Sequence, residues 1–167
     1  VTIKIGGNFF FRIEGILDAV GQTNSKITFE TNSAIPTKND WIGIQIRPSG
    51  GSVINNDLSY ASGTKIIYTV IKNASKGIYI YNTGAYITNT EFDNNNYGLE
   101  FRSTDNVVVD NCLFTNNNYG TYTEYESYSG DPTSQILNTY IQNSSFTANT
   151  IGNYFFLNQR EFKNLNM

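Results

Sequence analysis

The segments EFDNNNYGLEF (residues 91–101) and LFTNNNYGTYT (residues 113–123) are two copies of one pattern, and this pattern decides the fold. Each copy has a phenylalanine six residues before a glycine. Two further segments fit the same frame, with Ile71 before Gly77 and Phe146 before Gly152. The four glycines, Gly77, Gly98, Gly120 and Gly152, are 21, 22 and 32 residues apart. A spacing that recurs in this way indicates an internal repeat.

Apolar residues alternate with polar ones between these landmarks, as at Ile78 and Ile80 or at Leu99 and Phe101. A period of two is typical of β-strands, and asparagine and glycine interrupt the runs too often for helices. A repeat of about 22 residues that holds two or three short strands is one coil of a solenoid. The sequence therefore predicts an all-β fold, a right-handed parallel β-helix, with residues 1–167 as a single domain.

Stacked coils place equivalent residues about 4.8 Å apart, in columns along the solenoid. We expect two apolar columns and one column of small residues to face the core. Cys112 belongs to the small column, so we expect a packed core residue and not a reactive thiol. The columns are Ile66/Ile87/Val109/Ile141, Ile71/Phe92/Phe114/Phe146 and Thr69/Thr90/Cys112/Ser144.

Asparagine is unusually frequent, with 24 residues in the chain. We expect two asparagine columns to form ladders at the turns, in which each side-chain amide bonds to the coils above and below. One column is Asn73, Asn94 and Asn116, broken by Ala148 in the fourth copy, and the other is Asn89, Asn111 and Asn143.

The composition excludes several kinds of chemistry. The chain has no histidine, so histidine-based triads, imidazole proton transfer and histidine metal ligands are ruled out. Its net charge is −3 and it has no basic run, so we expect no nucleic-acid partner. No apolar run approaches the about 20 residues that cross a membrane, so the chain is not predicted to span one. The single cysteine excludes an intramolecular disulfide, and the acidic residues are too scattered to predict a metal site or a cofactor.

The segment GILDAVGQTNSKITFETNSAIPTKNDWIGIQI (residues 15–46) resembles the opening coils of secreted and cell-surface right-handed β-helix repeat proteins of the pectate-lyase-like superfamily. Its Leu-x-Ala-x-Gly turn, Ile-Thr-Phe strand and Asp-Trp-Ile-Gly-Ile strand carry the resemblance, which covers residues 15–156. The resemblance implies the same fold and a secreted or cell-surface location. It selects no activity, because the superfamily includes polysaccharide lyases, glycosidases, phage tailspikes and adhesins. A glycosidase of the polygalacturonase type would show a Gly-His-Gly segment, which this chain lacks.

One outer face of the solenoid is predicted to bind a ligand. Counting two and four residues on from each glycine, with Gly43 as the earliest, gives the side chains that point outward from one sheet. The first column is Gln45, Tyr79, Glu100, Tyr122 and Tyr154, and the second is Arg47, Tyr81, Arg102, Glu124 and Phe156. Such a mixture is typical of sugar binding, because rings stack on pyranose faces while charged groups bond hydroxyls or uronate carboxylates. The predicted ligand-binding residues are Arg47, Tyr79, Tyr81, Glu100, Arg102, Tyr122, Glu124 and Tyr154.

Two coils are longer than the others, with 34 residues from Gly43 to Gly77 and 32 from Gly120 to Gly152. The surplus lies roughly at residues 48–65 and 125–135, after the second outward position in both coils. We expect the two loops to leave the same sheet edge and to wall the predicted face, because loops on a rigid scaffold often carry binding.

Three functions fit these features. A non-catalytic secreted or cell-surface scaffold would bind a polysaccharide or a cell-surface glycan through the predicted face. A polysaccharide lyase or glycoside hydrolase would act in the same groove, with Glu100, Glu124 and Arg102 as candidate catalytic residues, since simple geometry puts the two glutamate backbones about 8 Å apart. A structural spacer would have uniform coils, which the two insertions disfavour.

We favour the non-catalytic scaffold over the enzyme. No histidine and no clear acidic triad is present. Arg102 is also the direct column neighbour of Glu124, so a surface ion pair is the plainer role for that carboxylate.

The two ends of the chain show no capping element. The chain starts at Val1 in a strand-like segment, with no initiator methionine or signal peptide, and its last residues stay hydrophobic. Exposed strand edges tend to pair. We therefore expect a segment of a longer protein with further coils before Val1, or end-to-end self-association.

Overall fold

The computed structural model describes residues 1–102, 104–124 and 137–156. The strands follow one another in coils. The first coil has β1 (Thr2–Ile5), β2 (Phe10–Ile13) and β3 (Asp18–Val20), and the second has β4 (Ile27–Thr31), β5 (Trp41–Ile46), a hairpin of β6 (Val53–Ile54) and β7 (Tyr60–Ser62), and β8 (Lys65–Ile67). The third has β9 (Thr69–Lys72), β10 (Ala74–Tyr81) and β11 (Ala85–Thr88), and the fourth has β12 (Glu91–Asp93), β13 (Tyr97–Arg102) and β14 (Asp105–Asp110). The fifth has β15 (Leu113–Thr115), β16 (Tyr119–Glu124) and β17 (Leu137–Gln142), and the sixth has β18 (Ser145–Thr147) and β19 (Ile151–Phe156).

Successive coils add their strands to three parallel sheets. The first sheet has the order β1-β4-β9-β12-β15-β18, the second β2-β5-β10-β13-β16-β19, and the third β3-β8-β11-β14-β17. Strands adjacent in a sheet are therefore one coil apart in the chain, which defines a parallel β-helix. The predicted fold is confirmed. Within the described ranges, no helix is long and apolar enough to cross a membrane.

The predicted core columns are present in register. Phe92 pairs with Ile71 and Phe114, and Phe114 pairs with Phe146. The Phe92 and Phe114 rings are stacked with centroids 4.6 Å apart, and the Phe114 and Phe146 rings with centroids 4.7 Å apart. The second apolar column pairs in the same way through Ile66, Ile87, Val109 and Ile141.

The repeated glycines make room for this phenylalanine column. A Cβ atom built on Gly98 would lie 2.9 Å from the ring of Phe114 in the next coil and 2.5 Å from the carbonyl oxygen of Gly120. Both distances are too short for a side chain. The phenylalanine of one coil thus occupies the space that a side chain at the preceding coil's glycine would need, which explains why the two residues recur together.

The two predicted asparagine columns mark positions of left-handed backbone. Asn94 and Asn116 have φ angles of 53° and 56°, and Asn89 and Asn111 both have 51°. Asparagine tolerates this region better than most residues, which accounts for its recurrence. The Asn111 amide donates to Asn89 Oδ1 at 2.6 Å, as a ladder requires. The Asn116 and Asn143 amides donate instead to the carboxylates of Asp93 and Asp110, so each predicted ladder is only partly formed.

A buried ladder is formed by the next asparagine along, at Asn95, Asn117 and Asn149, which the sequence analysis missed. The Asn117 side-chain oxygen accepts the Asn95 backbone N–H at 2.9 Å, and its amide donates to the Phe92 carbonyl at 2.9 Å. Asn149 repeats both bonds one coil later, to the Asn117 N–H and the Phe114 carbonyl. These amides therefore satisfy backbone groups at a corner that is fully buried at Asn95 and Asn117.

The expectation that Gly43 stands in the same register as Gly77 is wrong by one residue. Gly43 pairs with Lys76, and a β-bulge follows that restores the pairing of Ile44 with Ile78 and of Gln45 with Tyr79. Gly43 has a φ of +130°, a conformation that needs glycine. The bulge leaves the outward columns in their predicted order, because it is complete before Gln45.

The extra residues of the second coil form a hairpin on the third sheet. The Tyr60 ring lies 5.5 Å from the Tyr86 ring of β11, and β6 runs beside β14, where the outward-pointing Val108 is only 2% exposed. The hairpin segment also bonds to the first coil, since Ser49 Oγ donates to the Glu14 carbonyl at 2.6 Å. The expectation that this loop walls the outer face of the second sheet is therefore wrong. The other predicted loop, residues 125–135, lies outside the described residues.

Cys112 is a core residue, as predicted. The thiol is 3% exposed, and its sulfur lies 3.4 Å from the Asp110 carbonyl oxygen, to which it donates. Burial raises the pKa of the Cys112 thiol to about 12.

Cys112 is expected to resist thiol reagents while the chain is folded. Only the thiolate reacts, and the raised pKa keeps the thiol protonated at about pH 8. Labelling with a disulfide reagent at that pH should be complete within minutes in denaturant and undetectable over the same time without it. Prompt labelling of the native chain would contradict this account of the core.

Candidate ligand-binding face

The second sheet brings the predicted outward columns together. Tyr79 pairs with Gln45 on one side and with Glu100 on the other. Tyr122 continues the same column between Glu100 and Tyr154. In the second column Tyr81 pairs with Arg102, and the Arg47 guanidinium lies 5.2 Å from the Tyr81 ring centroid. We call the outer side of this sheet the tyrosine face, comprising Arg47, Lys76, Tyr79, Tyr81, Tyr97, Glu100, Arg102, Tyr119, Tyr122 and Tyr154.

Part of the first column lies beneath other side chains. Gln45, Tyr79 and Glu100 are only 5%, 7% and 8% exposed, although none of them belongs to the hydrophobic core between the sheets. Gln45 is covered from the first coil, where Arg12 Nε donates to its side-chain oxygen at 2.9 Å. These residues therefore support the face and contribute little of its surface.

Lys76 covers the other two residues of this layer. Its Nζ donates to Glu100 Oε1 at 2.8 Å and lies 4.4 Å from the Tyr79 ring centroid. Arg102 reaches Tyr79 from the second column through a side-chain hydrogen bond. Burial raises the pKa of the Tyr79 phenol, and the Arg102 hydrogen bond opposes that shift in part. What a ligand meets above Tyr79 and Glu100 is thus Lys76, Tyr81 and Arg102.

Three residues of the tyrosine face were missed by the sequence analysis: Lys76, Tyr97 and Tyr119. They form a third column in register, one residue before each glycine. Strict counting by two from the glycine places them inside, but they contact Tyr79 and Tyr122 of the outward column. The Tyr-Gly pair recurs in both quoted repeats, and this recurrence could have identified Tyr97 and Tyr119.

Four tyrosines cluster in the fourth, fifth and sixth coils. Tyr97 stacks on Tyr119 and Tyr122 on Tyr154, and contacts between these two pairs have centroid distances between 4.7 and 5.9 Å. Tyr122 and Tyr154 are 5.0 Å apart and within 9° of parallel. Rings this close cover each other's faces, so no sugar ring fits between them. The cluster can offer a ligand its ring edges and hydroxyl groups, and Tyr154, 36% exposed, is the most open member.

Of the two candidate catalytic glutamates, Glu100 and Glu124, only Glu100 has a described side chain. Glu100 is held by Lys76 as above, whereas the side chains of Glu124 and Phe156 lie outside the described residues. The distance between the two carboxylates therefore stays a prediction. Across residues 1–102, 104–124 and 137–156, no group of three or more Asp, Glu or Cys side chains is placed to hold a metal ion.

Comparison with known proteins identifies a family and no individual relative. A family model described as a right-handed beta helix region matches residues 19–167, which is most of the chain. No curated protein and no solved structure matches the chain.

Proposed function

The chain belongs to the right-handed β-helix family, and from this membership we propose that it is a secreted or cell-surface scaffold that binds a polysaccharide on the tyrosine face. One observation carries the proposal: four tyrosines cluster on the outside of a rigid sheet, next to a row of cationic groups. Tyrosines in such numbers on a solvent-facing sheet are common at binding surfaces, because each adds a large apolar edge and a hydroxyl at small cost in side-chain entropy.

The mode of recognition follows from the stacking of the rings. A polysaccharide lying along the solenoid would bond the phenolic hydroxyls through its own hydroxyl groups and pack its apolar C–H groups against the ring edges. Among the four tyrosines of the cluster, Tyr154 is the most exposed and would offer a ring face to a pyranose. This differs from the ring-on-sugar stacking that the sequence predicts.

The placement of Glu100 favours binding over catalysis. A catalytic carboxylate needs access to the scissile bond, but Glu100 is 8% exposed and its carboxylate is bonded to Lys76. We therefore assign Glu100 the task of holding Lys76 and Tyr79 in place. An assay for polymer breakdown by the intact chain would overturn this assignment if it showed turnover that Glu100→Gln abolished.

Removing two tyrosines of the cluster should weaken glycan binding. We expect the double variant Tyr122→Ala with Tyr154→Ala to bind at least about tenfold more weakly, since each aromatic contact is worth about 1 kcal/mol. The measurement is the dissociation constant for the best glycan of an array probed with the parent chain. Tyr79 is unsuitable for this test because it is buried.

The matched control is Tyr140→Ala. Tyr140 is a half-buried tyrosine that precedes the core residue Ile141, so it points outward from the third sheet in the fifth coil. Its loss should leave the dissociation constant unchanged. Equal binding by the double variant and the parent, or no binding by the parent to any glycan of the array, would refute the proposed function.

A further inference from the structure

We infer that the ligand of the tyrosine face is an acidic polysaccharide that carries a carboxylate on every second sugar, and that Arg47 and Arg102 select it. This inference rests on the proposed function, because it names the ligand class of the same face. Its basis is the second outward column, where the Arg47 guanidinium lies over the Tyr81 ring and Arg102 pairs with Tyr81 from the next coil.

The solvent-facing layer of the second to fourth coils is cationic. Lys76, Arg47 and Arg102 lie outside the buried layer of Gln45, Tyr79 and Glu100, and the side chain of Glu100 is 11% exposed against 28% for that of Lys76. None of the ion pairs among the described residues uses Arg47. The chain as a whole has a net charge of −3, so the charge of this surface is opposite in sign to the net charge of the chain. Such a contrast favours an anionic ligand at this place.

The spacing of the two arginines sets the pattern of charge on the ligand. Arg47, Tyr81 and Arg102 occupy equivalent positions in three successive coils. Two coils correspond to about 10 Å, which is close to the length of one disaccharide. A polymer lying along the column would therefore place one carboxylate on each guanidinium and a neutral sugar over Tyr81. Guanidinium suits this task because its paired N–H groups match a carboxylate.

A carboxylate ends the column on one side. Glu14 follows Ile13, which pairs with Ile46 before Arg47, and its carboxylate lies 4.0 Å from Arg12 Nε. A polyanion that continued along the same line would meet like charge in the first coil. The acidic part of the bound ligand therefore ends there, and the sugars beyond Arg102 lie over the tyrosine cluster.

The test compares acidic polymers of two charge spacings, each with its own neutral form. Hyaluronan and chondroitin have an acid on every second residue, whereas polygalacturonate and alginate have one on every residue, and carboxyl reduction turns each into a neutral control. We expect an alternating polymer to bind at least about tenfold more tightly than its reduced form, as a charge-assisted contact warrants. Binding should also weaken with added salt.

The matched variants are Arg47→Gln on the tyrosine face and Lys4→Gln on the first sheet, where Lys4 pairs with Glu30 at 3.5 Å. Both remove one positive charge, but only Arg47→Gln should weaken binding of the alternating polymer, by about tenfold. Arg102→Lys keeps the charge without the paired donors and should weaken it less. Equal binding of a polymer and its reduced form would overturn the inference and leave the proposed function standing, and so would tighter binding of the polymers with an acid on every residue. Binding of no polymer at all would overturn both.

Discussion

Phe114→Ala is expected to lower the free energy of unfolding by about 3–5 kcal/mol, the range for buried aromatic residues. Phe114 is fully buried and stacks on Phe92 on one side and on Phe146 on the other, so the variant loses two ring contacts as well as the buried area. The surrounding coils are held at a fixed distance by their backbone hydrogen bonds, so they cannot collapse around the cavity. Urea unfolding followed by circular dichroism measures the change.

Leu113→Ala is the control for this prediction. Leu113 precedes Phe114 in β15 and points outward with 38% of its surface exposed. Its replacement should cost less than about 1 kcal/mol. If both variants lost the same stability, the phenylalanine column would not be the part of the core that matters most.

Asn117→Ala is expected to cost about 2–6 kcal/mol, although the residue is polar. The change leaves the Asn95 backbone N–H and the Phe92 carbonyl without their partners at a buried corner. Each such group costs about 1–3 kcal/mol when it remains unsatisfied. The measurement is again the free energy of unfolding in urea.

Two further variants separate the hydrogen bonds of Asn117 from its shape. Asn117→Asp keeps the acceptor for the Asn95 N–H and loses the donor to the Phe92 carbonyl, so it should also be destabilised. Asn116→Gly changes the exposed neighbour, whose φ of 56° suits glycine, and should cost less than about 1 kcal/mol. A stable Asn117→Ala variant would show that the ladder is not needed for folding.

The face combines a fixed lower layer with a cationic surface. Tyr79 and Glu100 are held by Lys76 and Arg102, so the charged side chains above them lose little freedom when a ligand binds. Preorganised groups of this kind bind more tightly than the same groups on long, free side chains. Disturbing the lower layer should therefore weaken binding without removing a direct contact.

The core and the outward columns could be predicted from the sequence because both depend on the same register. The recurring glycine fixes the register, with the core phenylalanine six residues before it and the outward column two residues after it. The register fails where the alternation is not strict. Tyr97 and Tyr119 precede their glycines and contact the outward Tyr122, and the bulge at Gly43 shifts one pairing.

The buried asparagine ladder could not be predicted because asparagine fills three consecutive positions in two of the repeats. In the triplets at residues 94–96 and 116–118, the residue type does not distinguish the asparagine with the left-handed backbone from the buried one. The fourth copy does distinguish them, because it keeps Asn149 while Ala148 takes the left-handed position with a φ of 55°.

The sheet on which the hairpin packs could also have been predicted from the sequence. Three valines in succession at residues 107–109 make both sides of β14 apolar, so its outer side needs a cover.

The hairpin alters how the solenoid can come apart. In a plain stack each coil contacts only its two neighbours, so the array frays from an end one unit at a time. Here the segment around the hairpin bonds Glu14 in the first coil and the Gly84 carbonyl in the third, and β6 runs beside β14 in the fourth. The segment that carries the hairpin thus links the second coil to the first, third and fourth coils at once. We therefore expect these four coils to unfold more cooperatively than the coils of a plain stack.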